Sequence, residues 1–315
     1  MVLIKKRYLN IIISIFFVAL LIAGFIFNKY DNAHIKQENI ILKNFLHGEN
    51  SLSPIKKRYQ ANISPEISAS LVSLANNGKS KDIFKQNTNG VYPMASITKL
   101  MTAVIVIDTY RMDEKISIDS EVIKTEGDPK KLSEGNIYTI NSLLHIMLIE
   151  SNNEAAEAFT KKIGRDNFVQ KMNKKAEYLS MTNTHYLNPT GLDIENQEET
   201  NKTSPEDIKK LVIYITKKYP LMLDILSKSK YYTHSENGDE RYSQNTNILL
   251  MEDKGFLWGK TGFTKKANGC LVIIAKPPNF SFFEKNYIIN IILGAEDRFK
   301  EARNFKTWTA NQFIW

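Results

Sequence analysis

The chain has 315 residues, of which 43% are hydrophobic and 24% charged, enough apolar side chains to bury a substantial core. Its 42 Lys and Arg against 34 Asp and Glu give a net charge of +8, three of them from Lys5, Lys6 and Arg7. No basic patch interleaved with aromatics accompanies that modest excess, which argues against nucleic acid as a partner and suits anionic polymer surroundings. Cys270 is the single cysteine, so an internal disulfide and a lipid-bearing cysteine near the N-terminus are both excluded. His34, His47, His145, His185 and His234 are scattered without metal-ligand spacing, and the reading calls for no metal and no organic cofactor. His145, on an apolar run, reads as a satisfied core residue.

In chain order, Ile11 to Phe27 is apolar apart from Ser14 and follows the basic Lys5-Lys6-Arg7. The run approaches the about 20 residues a membrane span needs, and no Ala-x-Ala cleavage site follows it. It is expected to be an uncleaved signal-anchor in a single-pass protein, with residues 1–27 forming a cytoplasmic tip and span and the rest on the far side. A cleaved signal peptide with a secreted product is the alternative. Residues 28–60 are polar and mixed, a stalk with one short amphipathic helix around Ile35 to Leu46, and residues 61–315 form the main domain.

Ser68–Leu74 and Lys81–Lys85 read as strands flanking the turn Asn76-Asn77-Gly78-Lys79. Next comes Ser96-Ile97-Thr98-Lys99, followed by the apolar run Leu100 to Ile107, which suits a helix buried on most sides. A three-residue spacing puts Ser96 and Lys99 on one helical face, and the helix N-terminus favours negative charge developing on the serine oxygen. A serine needs a neighbouring base to become a nucleophile, and Lys99 can be that base only when neutral. Burial and a second cation, for which Lys260 is the natural choice, both lower a lysine pKa. Two other stretches share the Ser-x-x-Lys spacing. Ser53–Lys56 contains Pro54 and reads as a turn, whereas Ser227–Lys230 sits at a polar, solvated helix end.

Ser151-Asn152-Asn153 joins the apolar run Leu143–Ile149 to the helix former Glu154–Phe159. Asn152 suits a helix cap, and Ser151 and Asn153 suit proton relay and binding of a substrate amide. Lys260-Thr261-Gly262 occurs once, in an aromatic, glycine-flanked segment expected to be an edge strand that can pair with an extended peptide. Strands follow around 257–264, 269–276 and 286–294, with Cys270 buried in one of them, and a last helix runs from Asp297 to about Trp315. Early strands, a helical middle from Ser96 to about Leu226, late strands and a terminal helix make an α+β fold whose two chain ends meet in one sheet.

Taken in order, Ser96–Lys99, Ser151–Asn153 and Lys260–Gly262 resemble the three motifs of the penicillin-recognising serine hydrolases. Ala95–Ala103, Glu150–Ala156, Asn183–Leu192, Asn245–Asn247, Gly259–Thr264 and Gly294 with Arg298 narrow the resemblance. They are similar to the D-alanyl-D-alanine carboxypeptidases among the low-molecular-weight penicillin-binding proteins, serine peptidase family S11, over residues 60–310. The resemblance implies an antiparallel sheet flanked by helices beside an all-helical lobe, with the site between them. It further implies that Ser96, Lys99, Ser151 and Lys260 are catalytic, that the Ser96 and Phe263 amides form an oxyanion hole, and that Asn153, Thr261, Gly262, Phe263 and Arg298 bind substrate. The expected substrate is a peptidoglycan stem peptide ending in D-Ala-D-Ala, with β-lactams as covalent inhibitors. A DD-endopeptidase using the same site is the alternative. A β-lactamase fits less well, lacking a Glu-x-x-Leu-Asn stretch, and so does a non-catalytic wall-binding protein. The chain departs from the family at Ser180 and Asn268, where glycine is usual, and at Thr203-Ser204-Pro205-Glu206-Asp207, which still reads as a capped helix start.

Overall fold

Alternating and continuous apolar runs at both ends of the main domain are gathered into one five-stranded antiparallel sheet. Its strands are β1 (Ala69–Asn76), β2 (Lys79–Gln86), β5 (Phe256–Thr264), β6 (Asn268–Ala275) and β7 (Tyr287–Ala295), in the order β5-β6-β7-β1-β2. A computed structural model describes residues 55–56, 63, 65–76, 78–127, 131–194, 198–278 and 286–314, all in the compact unit Leu52–Trp315. The expected anchor, the helix around Ile35 to Leu46, nearly all of the stalk and the Ser53 site lie outside the described residues. Among those described, no helix is long and apolar enough to cross a membrane.

Pairing of β7 with β1 brings the late strands against the early hairpin, so the chain ends meet as the order of elements requires. Gly78, at φ +84°, supplies the left-handed turn between β1 and β2. β1, β6 and β7 are buried almost throughout, as central strands covered on both faces should be. Cys270 is fully enclosed in β6, where burial pushes its thiol up to about 11.

One face of the sheet carries the C-terminal helix, whose Phe305 meets Phe84 of β2 edge-on. The other face packs on the helices of the second lobe. These are α1 (Thr98–Thr109), α2 (Ile140–Ile149), α3 (Asn153–Ala158), α4 (Arg165–Tyr178), α5 (Pro205–Lys218) and α6 (Pro220–Ser227), with α7 (Arg298–Gln312) closing the chain. Ser204 caps α5 by accepting from Asp207 N at 3.2 Å with Pro205 in its first turn, as read from the sequence. His145 is buried in α2, held by Asn141 O at 2.8 Å, and burial lowers its pKa.

Two details differ from the sequence reading. The last helix ends at Gln312, and Phe313–Ile314 pair instead with Ile55–Lys56. A hairpin of β3 (Lys230–His234) and β4 (Glu240–Gln244) stands between the helical lobe and β5, where no strand is expected.

α4 ends in a Schellman motif: Ser180 N donates to Glu177 O at 2.8 Å and Met181 N to Ala176 O at 2.9 Å. The motif needs a left-handed residue, and Ser180 takes that conformation at φ +56°. Asn268 does the same at φ +51° beside the β5–β6 turn, but asparagine tolerates that region better. Ser180→Gly is expected to stabilise the fold by about 1 kcal/mol, whereas Asn268→Gly should change little. Chemical denaturation of both variants checks the contrast.

Candidate active site

The turn bearing Ser96 is a short 3-10 segment, Ala95–Ile97, that runs straight into α1. Ala95 sits at φ +46°, a strained conformation for a non-glycine residue that persists only when its surroundings enforce it. The enforcing element is the loop 188–192 beneath it. Asn188 Oδ1 accepts from Thr190 N, Thr190 Oγ1 and Gly191 N at 3.2, 3.0 and 2.7 Å, which knots the loop. Asn201 Nδ2 donates to Thr98 Oγ1 and to Asn188 O, both at 2.9 Å, and so ties that knot to the start of α1. From above, β5 comes so close that a Cβ on Gly262 would stand 2.9 Å from Ser96 N. Glycine there is what lets the strand lie against the serine turn.

Lys99 is 0% exposed, and its Nζ lies 2.9 Å from Ser96 Oγ, 2.6 Å from Asn153 Oδ1 and 2.7 Å from Thr190 O. Two of these, an amide oxygen and a backbone carbonyl, only accept. The third is a hydroxyl, which can donate. The amine that gives N–H groups to the two acceptor-only oxygens thus stands within hydrogen-bonding distance of the serine hydroxyl. That is the arrangement a base needs to take the Ser96 proton.

Ser151 occupies the junction of α2 and α3 at φ +64°, and Asn152 caps α3 by accepting from Ala155 N at 2.7 Å. Lys260, 1% exposed in β5, donates to Ser151 Oγ at 2.8 Å and to Thr261 O at 2.9 Å. Its pKa lies well below the ordinary lysine value, first through burial and then through the nearby charges of Lys99 and Arg298. The two lysines therefore flank one cleft, each hydrogen-bonded to a different serine.

The expected binding residues are reached as follows. Thr261 Oγ1 lies 2.6 Å from Thr246 Oγ1, a partner the sequence reading quoted within Asn245–Asn247 without giving it a part. Phe263 is 63% exposed at the outer end of β5, with its backbone in register opposite Gly269. Arg298, the first residue of α7, has its Nε buried without a hydrogen-bond partner among the described residues, while Asp297 is occupied in capping Phe299 N and Lys300 N. The Arg298 guanidinium lies over the ring of its helix neighbour Phe299 at 4.7 Å, and no Arg298–Asp297 or Arg298–Glu301 ion pair forms among the described residues. Asn153 lies beside the base. Its Oδ1 holds Lys99 and its Nδ2 donates to Glu126 O at 3.0 Å, which makes it a support for the base as much as a face of the cleft. A cavity of about 430 Å³ adjoins these supports, reached by Glu126, Thr190, Leu192 and Asp193.

Residues 58–296 match the S11 peptidase family, D-alanyl-D-alanine carboxypeptidase. The chain belongs to this family. It is 30% identical over 253 residues to a D-alanyl-D-alanine endopeptidase of Escherichia coli, with 78% of each chain covered. Against D-alanyl-D-alanine carboxypeptidase DacF of Bacillus subtilis the identity is 31% over 206 residues, 63% of this chain and 52% of that one. Among solved structures, penicillin-binding protein D2 from Listeria monocytogenes in its ampicillin-bound form superposes with a TM-score of 0.66 at 26% identity, covering 79% of this chain and 99% of the other. The protein is a serine hydrolase with the penicillin-binding-protein fold.

Proposed function

We propose that this protein cleaves the D-alanyl-D-alanine end of peptidoglycan stem peptides through an acyl-enzyme on Ser96, and that β-lactams trap the same serine. The observation that carries the proposal is the wholly buried Lys99 Nζ at 2.9 Å from Ser96 Oγ. Ser96 attacks the penultimate carbonyl and Lys99 takes its proton. The Ser96 and Phe263 amides stabilise the oxyanion, where preorganised donors lower the barrier most. Ser151, hydrogen-bonded to Lys260, relays a proton to the departing D-alanine. Thr261, backed by Thr246, and the buried guanidinium of Arg298 receive the terminal carboxylate, and water then releases the acyl group. Ser96→Ala is expected to abolish covalent labelling by a fluorescent penicillin, while Ser227→Ala labels normally. Label retained by the Ser96 variant would end this assignment.

An endopeptidase using the same residues on a cross-linked peptide is the second reading. It is favoured by the Escherichia coli endopeptidase, which matches this chain over more of its length than does DacF. Product analysis on a defined pentapeptide and on cross-linked muropeptides separates the two.

The run Ile11–Phe27 behind Lys5-Lys6-Arg7 supports an uncleaved single-pass anchor with residues 61–315 outside the cytoplasm. Mass spectrometry of the membrane-bound protein is then expected to find Met1 or its immediate neighbours. A mature N-terminus beyond Phe27 would make it a secreted enzyme instead.

A further inference from the structure

An oxyanion hole made from the Ser96 and Phe263 amides draws its two donors from separate stretches of chain, the serine turn and the end of β5. Such donors work only when held to within about 0.5 Å of the productive geometry. The serine turn is held from two sides. Gly262 lies against Ser96 N, and Asn201 Nδ2 grips Thr98 Oγ1 at 2.9 Å. The end of β5 has fewer neighbours. β5 is an edge strand paired only with β6, and Phe263 is 63% exposed. Pairing with β6 sets its register, with Phe263 opposite Gly269 and Thr264 opposite Asn268. A strand end supported on one side still opens easily, so the Phe263 amide needs a further tie towards the serine turn.

One carboxylate supplies that tie. Asp193 follows the knotted loop 188–192 and reaches the β5–β6 turn. Its Oδ1 accepts from Thr264 Oγ1 at 2.9 Å and its Oδ2 accepts from Lys266 N at 3.2 Å. Thr264 Oγ1 in turn accepts from Ala267 N at 3.1 Å, so carboxylate and hydroxyl together shape the turn next to Phe263. Thr200 Oγ1 also donates to Asp193 Oδ1, at 3.4 Å. The residue after Thr200 is Asn201, which holds both Thr98 and Asn188. A path of hydrogen bonds and one peptide link therefore runs from the start of α1 through Asn201, Thr200 and Asp193 to the residue after Phe263. Charge-assisted bonds of the kind Asp193 makes are the stronger ones in such a path.

We propose that Asp193 is a positioning residue for acyl transfer. By clasping the β5–β6 turn to the loop beneath Ser96, it sets the spacing of the two amides that receive the oxyanion. It touches no reacting atom, and its role rests on the acyl-enzyme reading above. The test uses the full chain in detergent and a chromogenic penicillin at rising concentration, which separates the pre-covalent dissociation constant from the acylation rate constant. Asp193→Ala is expected to lower the rate constant by about 10- to 100-fold. The dissociation constant should stay unchanged, because Thr261 and Arg298 are untouched. Thr264→Val should slow acylation too, and the double variant should be no slower than Asp193→Ala alone, since both remove one contact. Thr264→Ser keeps the hydroxyl and should recover most of the rate. A boronic acid whose tetrahedral adduct on Ser96 mimics the acylation intermediate should lose affinity by about the same factor as the rate. A purely structural clasp predicts another pattern, in which fewer chains label and those that do label at the normal rate. That pattern overturns the inference. So does a weaker dissociation constant beside an unchanged rate constant, unchanged boronate affinity, or a double variant whose losses multiply. A wild type that takes no penicillin on Ser96 removes the acyl-enzyme reading itself, and this inference with it.

Discussion

Lys99→Ala is expected to slow acylation of Ser96 by roughly 10²- to 10⁴-fold, for both penicillin and peptide, at every accessible pH. The side chain is wholly buried beside Ser96, Asn153 and Thr190, and it is the base that the described residues place within hydrogen-bonding reach of Ser96 Oγ. Lys260→Arg should behave differently. It keeps a positive charge in β5 but cannot exchange the proton that the depressed pKa of Lys260 makes mobile. Penicillin acylation should therefore survive in part, and peptide hydrolysis, whose amine leaving group needs a proton, should fall further. Acylation rates of both variants on both substrates measure this, and faster acylation by Lys99→Ala than by Lys260→Arg on each would reverse the two roles. The same depression has a sign in stability. The unfolded chain holds the Lys260 proton up to about 10.5 and the folded protein releases it earlier, so this group's contribution to stability rises with pH through that window.

Gly191→Ala should cost about 3 kcal/mol or more of folding stability. Its φ is +83°, and an added Cβ would lie 2.0 Å from Ala95 O and 2.4 Å from Ala95 C, both backbone atoms that cannot swing aside. Either the loop or the serine turn has to move. Moving the loop displaces Thr190 O from Lys99, and moving the turn displaces Ser96 from under Gly262. Urea denaturation reads the stability, and penicillin labelling of the folded fraction reads the site. Unchanged stability with normal labelling would show that the loop does not brace the turn.

The sheet was legible from the sequence because its central strands are long apolar runs bounded by turn residues, and the polar strand Lys79–Gln86 follows a hairpin turn that carries its own glycine. The β3–β4 hairpin was not legible, because of its inward positions only Tyr231 is aromatic while Thr233, Arg241 and Ser243 are polar, so no apolar alternation announces a strand. The burial signal lies in Glu150, about ninety residues away, which neutralises Arg241. The four central side chains of the site were readable as motifs and lie together as expected. Their supports were not. Thr190 acts through a backbone carbonyl, which any residue possesses, and Asn201 acts through a carboxamide that local sequence reads as a cap or turn residue. The motif gave the position of Asn153 but not its contact with Lys99.

Because β1 pairs with β7, the sheet is stitched from segments more than two hundred residues apart in the chain, and the strand bearing Lys260 reaches β1 only through β6 and β7. Loop-closure entropy over such a distance has to be met before any of these contacts repay it. A chain still being made can carry Ser96, Lys99 and Ser151 and yet possess no cleft, since the wall that closes it arrives with the last third of the polypeptide. On the proposed mechanism, reactivity of Ser96 towards a β-lactam is thus acquired only near the end of synthesis.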